Sequence, residues 1–163
     1  LQSHPSVADI LERETDSTIP LWLERVNAEP DIITISLSEE DRGAHLPAMF
    51  RDVITRLRAS LTLGTRSLTS DSAYEHGILR HAQGYTGAMM IEESRILQVS
   101  IFETLQMNVS GIDSDVLMLD VMAITDEVDS QLAQAMSSFT ISAETMATGQ
   151  SVSYLDPDAL PNA

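Results

Sequence analysis

Apolar residues recur along most of the chain at spacings of three and four, the signature of helices that bury one face. Over residues 6–27 the inward positions are Leu11, Thr15, Thr18, Trp22 and Val26, which predicts a first helix. Pro20 lies inside it and predicts a kink or a break into two segments, because proline removes a backbone donor and crowds the preceding turn. The β-branched run at 31–37 follows Pro30, has no second strand to pair with, and reads as a connector. A second helix is predicted from Ser38, with Glu39, Glu40 and Asp41 in its first turn, to a stop at Gly64. Its stripe is Leu46, Phe50, Val53, Leu57 and Leu61, widened by Met49 and Ile54, while Arg51, Arg56 and Arg58 fall mostly off it. Pro47 is internal and predicts a bend in the first half.

A polar loop at 65–70 leads into a short third helix that places His76, Arg80 and Gln83 on one face. Gly84 ends that helix and Thr86 caps the fourth, which runs to about Val109 on a stripe of Met90, Leu97, Ile101 and Leu105, with Ile96 and Phe102 beside it. Gly111 separates it from a fifth helix, from Ser114 to Phe139 or further. There Leu117, Val121, Ile124, Val128, Leu132, Ala135 and Phe139 form a seam close to the coiled-coil period, which suits a dimer interface or a lever passing a signal onward. From Gln150 the chain turns polar, with Asp156-Pro157 and Leu160-Pro161, and reads as a linker or tail. The expectation is an all-α protein: a helical domain over 1–149, built as a bundle of four to five main helices, and a tail over 150–163. Globin-like packing and a simpler bundle use the same amphipathic helices, so the pattern leaves both open.

Composition narrows the chemistry. No cysteine is present, which removes disulfides, thiol nucleophiles and thiolate metal sites. No apolar run approaches the roughly 18 residues of a membrane span, and no basic-then-apolar leader opens the chain, so a cytoplasmic location is expected. All nine basic residues are arginines, against 25 carboxylates. From Asp113 onward there are nine acids and no base. Such a surface repels phosphate backbones and anionic lipids, so neither nucleic acid nor membrane is an expected partner. It serves either as a solvated outer face or as a docking surface for a basic partner.

Catalytic and metal motifs are missing. Bundle di-iron sites use Glu-x-x-His pairs, but Ala73 and Ile78 stand three before His76 and His81. These two histidines lie about 140° apart around a helix and cannot chelate one ion together, so no metal is expected. No cofactor is expected either, haem on a single histidine being the one the residues leave open. With no Gly-x-Ser-x-Gly, no lysine and no phosphate-cradling loop, no enzymatic activity is expected. A histidine phosphotransfer bundle would use His76 or His81 with Arg80 and Gly84 nearby, but the spacing does not match that motif. Glu92 and Glu93 point about 100° apart, which turns one inward. If the third and fourth helices fold back on each other, Arg80 and Glu93 can pair and fix the register.

The run His76-Gly77, Arg80, Gln83-Gly84-Tyr85-Thr86, then Glu93, Leu97 and Ile101-Phe102, resembles the signature of the RsbRD N-terminal domain family. Trp22-Leu23-Glu24-Arg25 resembles that family's first-helix tryptophan segment, and the likeness spans Val7 to Phe139. Gln98 stands where the family commonly has arginine, and Ser94 where an aromatic is common. The resemblance implies a helical, dimerising sensory or regulatory domain at the N-terminus of a bacterial signalling protein of histidine-kinase or stressosome type. It also implies a downstream output domain in the parent chain and a signalling protein as partner. His76, Arg80, Gln83, Tyr85 and Glu93 would then form a ligand or switch network. The competing expectation is a ligand-free scaffold whose acidic face docks another protein.

Overall fold

The computed structural model describes residues 5–65 and 69–149, and among these it carries six α-helices and no strand. α1 (Val7–Val26) opens on a capping box: the Ser6 hydroxyl accepts from the Asp9 N–H, and the Asp9 carboxylate accepts from the Ser6 N–H. It runs unbroken through Pro20. Pro20 and Asp16 both face solvent, so water can serve the carbonyl that proline leaves without a donor. One 3-10 turn, Ile32–Thr34, lies in the connector and buries Ile32.

The helix expected over 38–64 is in fact two. α2 (Glu39–Gly43) is capped by Ser38, and α3 (Leu46–Arg58) begins with Pro47 in its first turn. At that position the missing N–H is harmless, so the proline starts a helix instead of bending one. α3 also stops short of Gly64, which sits in a later turn at φ +74°. Arg56, expected off the stripe, is buried and donates to the Asp126 carboxylate at 2.9 Å.

α4 (Asp71–Ala82) and α5 (Gly87–Asn108) meet at Gly84, in the left-handed region at φ +88°, and Thr86 caps α5 as its spacing predicts. α6 (Ser114–Thr148) is capped by Asp113 and ends at Gly149. Residues 150–163, the expected tail, lie outside the described residues. α6 packs against α3, α4 and α5, while α1 packs on α3 and α5. Trp22, Phe50, Leu97, Ile101, Ile124 and Val128 are among the buried residues of this shared core. The result is an all-α bundle, and among the described residues no helix is long and apolar enough to cross a membrane.

One contact fixes how α4 sits on α6. A Cβ placed on Gly77 would come within 2.0 Å of the Ala135 carbonyl oxygen and 2.1 Å of the Ser138 hydroxyl. Only the absent side chain lets the two backbones approach this closely. The Ser138 hydroxyl lies 2.7 Å from the Tyr74 carbonyl of α4, a bond across the same contact.

Candidate functional site

The face of α4 that carries His76 and Arg80 turns inward, and Arg80 is wholly buried. All three nitrogens of its guanidinium donate. Nε donates to Glu93 Oε2 at 3.1 Å, Nη1 to Gln83 Oε1 at 2.8 Å, and Nη2 to the Arg42 carbonyl at 2.6 Å. The charge also lies 4.6 Å above the centre of the Tyr85 ring. The Tyr85 hydroxyl donates to Glu93 Oε1 at 2.8 Å and accepts from Arg42 Nη1 at 2.7 Å. Arg42 in turn donates to the Ile35 carbonyl at 2.7 Å. Burial pushes the Tyr85 phenol up to about 12, with Glu93 adding to the effect. Burial also raises the Glu93 carboxyl, against the pull of Arg80, Tyr85 and Arg42.

The other side of Glu93 is built differently. The His76 ring stacks on His45, centroids 3.8 Å apart and planes 16° apart, and His45 meets the edge of Trp22. Trp22 Nε1 donates to the Glu93 backbone carbonyl at 3.1 Å. His76 Nε2 stands 3.8 Å from Glu93 Oε2, too far for a hydrogen bond. Burial lowers His76 to about 3 and holds His45 well below the usual histidine range, so both rings are neutral at neutral pH.

Between these rings and α6 lies a cavity of about 20 Å³, walled by Trp22, His45, His76, Glu93, Ser94 and Gln131. Among the described residues, three buried side-chain atoms have no hydrogen-bond partner: His76 Nδ1, Ser94 Oγ and Gln131 Oε1. All three belong to residues of this one wall. Gln131 is held in place by its amide nitrogen, which donates to the Met49 carbonyl at 3.2 Å and to Glu127 Oε1 at 3.4 Å. The space suits one water or one ion and has no room for a porphyrin. His81 lies apart, its ring edge against Phe139 at 5.2 Å.

The five residues expected to form a network, His76, Arg80, Gln83, Tyr85 and Glu93, therefore meet in one place. Sequence reasoning missed His45, Arg42 and Gln131. Arg42 follows three acids in a turn that reads as solvent-facing, and His45 stands alone between two short helices. Only Gln131 carried a usable signal, since it lies three residues after Val128 and four before Ala135, on the inward face of α6.

That seam packs within the chain. Ile124 and Val128 are wholly buried and Ala135 nearly so, while Leu117, Val121, Leu132 and Phe139 are half-buried. Ile124 and Val128 have no surface left for a second copy, because α3, α4 and α5 cover this side of the helix. The exposed apolar residues of α6 are others: Val116, Met118, Leu119 and Met122 near its start, Ile141 and Met146 near its end. No family model, no curated protein and no solved structure matches the chain.

Proposed function

We propose that this chain is a cytoplasmic sensory or regulatory domain of a bacterial signal-transduction protein. It reads the occupancy of the cavity beside the Arg80–Glu93 network and relays it through α6 to an output domain. The observation that carries this reading is that three unpartnered buried atoms all belong to residues lining one small space. Each such atom costs on the order of 1–3 kcal/mol when it is left without a hydrogen bond. An occupant that bonds His76 Nδ1, Ser94 Oγ and Gln131 Oε1 together recovers that cost, and so is favoured over an empty cavity.

The wall also supplies the relay. Gln131, Leu132 and Ala135 of α6 line the cavity, and Ala135 is the residue on which Gly77 of α4 rests. An occupant that shifts Gln131 biases the α4–α6 contact between two packings. The resemblance of the His76–Thr86 run to the RsbRD N-terminal domain supports the signalling class. Burial of His76 beneath His45 argues against the phosphoacceptor alternative, whose histidine has to reach a partner's pocket. Native mass spectrometry of the freshly purified chain, paired with amide exchange of α6, tests the reading. A reproducible bound mass with slowed α6 exchange is expected. A chain that never carries added mass, and whose α6 exchange ignores a cavity-filling Ser94→Leu, would overturn it.

A docking role is the second reading, and one observation favours it. Val116, Met118, Leu119 and Met122 are exposed on α6, in a segment that also bears Asp113, Asp115, Asp120, Asp126 and Asp129 and no cation. A basic amphipathic segment matches that face better than a second copy, which would bring the same acids. Reversing several of these charges should abolish partner capture if the face docks.

A further inference from the structure

Resting on that sensory reading, we propose that the occupant is a first-row divalent transition-metal ion, zinc being the type case. One ring nitrogen each of His45 and His76 and one carboxylate oxygen of Glu93 hold it. These three donor atoms already lie within 4.8 Å of one another. Tetrahedral zinc, with bonds of roughly 2.0–2.1 Å, sets its ligands roughly 3.3–3.5 Å apart. The 3.8 Å from His76 Nε2 to Glu93 Oε2 is a few tenths beyond that, whereas the lone pairs of the two stacked rings run nearly parallel, so His45 has to turn out of its stack on His76 to share the ion.

Size decides against an organic ligand: a cavity of about 20 Å³ has room for one water-sized species. The donor set also selects: two imidazoles with one carboxylate suit zinc, iron or nickel, whereas magnesium and calcium want oxygen throughout. Ligation through His76 Nε2 leaves Nδ1, with Ser94 Oγ and Gln131 Oε1, to bond a water on the cavity side of the ring.

Arg80 opposes the ion, and the opposition supplies the switch. Its Nε donates to Glu93 Oε2, the same oxygen that faces His76. Ion and guanidinium therefore compete for that atom. Binding loosens Arg80, and with it the bonds from Arg80 to Gln83 at the end of α4 and to the Arg42 carbonyl in α2. The ion-free chain is latched by Arg80, and the ion releases the latch.

Cobalt(II) titration of the whole chain, stripped with chelator beforehand, tests this through the visible absorption of low-coordinate cobalt. One saturable site is expected, displaced by zinc, and His76→Gln and His45→Gln should each weaken it by about tenfold or more. His45 is half-buried and outside the Arg80 network, so its variant keeps the test open should the other fail to fold. Arg80→Gln should bind cobalt more tightly than the native chain while being less stable without it, a split that a merely structural arginine would not produce. Absence of saturable binding, or binding unchanged in both histidine variants, would overturn the metal site. A non-metal mass bound in the cavity would overturn the metal and leave the sensory reading standing. Cobalt bound without any change in α6 exchange would uphold the site and overturn the relay.

Discussion

Toward Arg42, Arg80 and Tyr85, the polar interior around Glu93 has a partner for each charged group. Toward α6, three polar atoms of the same interior have none. Both regions are largely buried, so burial alone does not separate them. They differ in what sets their geometry. The first is closed by guanidinium donors whose planar forks reach several acceptors at once. The second is walled by rings and short side chains held by other contacts: His76 by its stack on His45, Gln131 by its bonds to Met49 and Glu127. A satisfied network resists change, whereas an unsatisfied one held open by its surroundings is ready to receive something.

The comparison breaks most visibly at Arg80. Arg80→Ala should cost about 3–5 kcal/mol in urea unfolding, because it leaves Glu93 buried without its counter-charge. A double-mutant cycle with Glu93→Ala should show strong coupling, and additive effects would dissolve the network. Next in size is Gly77→Ala. The new methyl meets the α6 backbone, which cannot rotate away, so about 1–3 kcal/mol should be lost and α6 amide exchange should quicken.

The pH response sharpens the unsatisfied side. Desolvation, with Asp52 and Asp126 adding to it and Gln131 and Arg56 opposing, lifts Glu127 from 4.5 to about 7. The fold therefore favours the protonated acid. Its contribution is fully present below the unfolded value and is lost as pH rises through about 7. With solvent screening allowed for, urea midpoints should record a decline on the order of 1–2 kcal/mol, and Glu127→Gln should flatten it. Smallest of all is Ser94→Ala. Deleting a buried hydroxyl that bonds nothing should leave stability unchanged or raise it by about 1 kcal/mol, and a clear loss would mean that the hydroxyl has a partner.

How much of this was legible in the sequence follows the range of the interactions. Helix stripes, the Gly84 stop and the Thr86 cap are set by residues a few positions apart, and spacing reads them directly; of Glu92 and Glu93 it turns one inward without saying which. Arg80 and Glu93 could be matched because only one turn separates their helices. Arg56 and Asp126 could not, since nothing local says that an arginine beside an apolar stripe will find an acid on a distant helix. His45 was missed for a related reason. Its stack on His76 depends on the break between α2 and α3, and Pro47 reads equally well as a bend or as a start. The seam of α6 was read with the correct period, but period does not say whether the covering surface comes from the same chain or another.

The close approach at Gly77 has a mechanical consequence. α6 is pinned there, near Ala135 and Ser138, while its remaining turns run on to Thr148 with Ile141 and Met146 exposed. At about 1.5 Å of rise per residue, the arm beyond Ser138 is roughly 15 Å long. A tilt of about 10° about the pinned point would carry its tip roughly 3 Å, so a sub-ångström rearrangement of side chains near the fulcrum arrives at the far end multiplied.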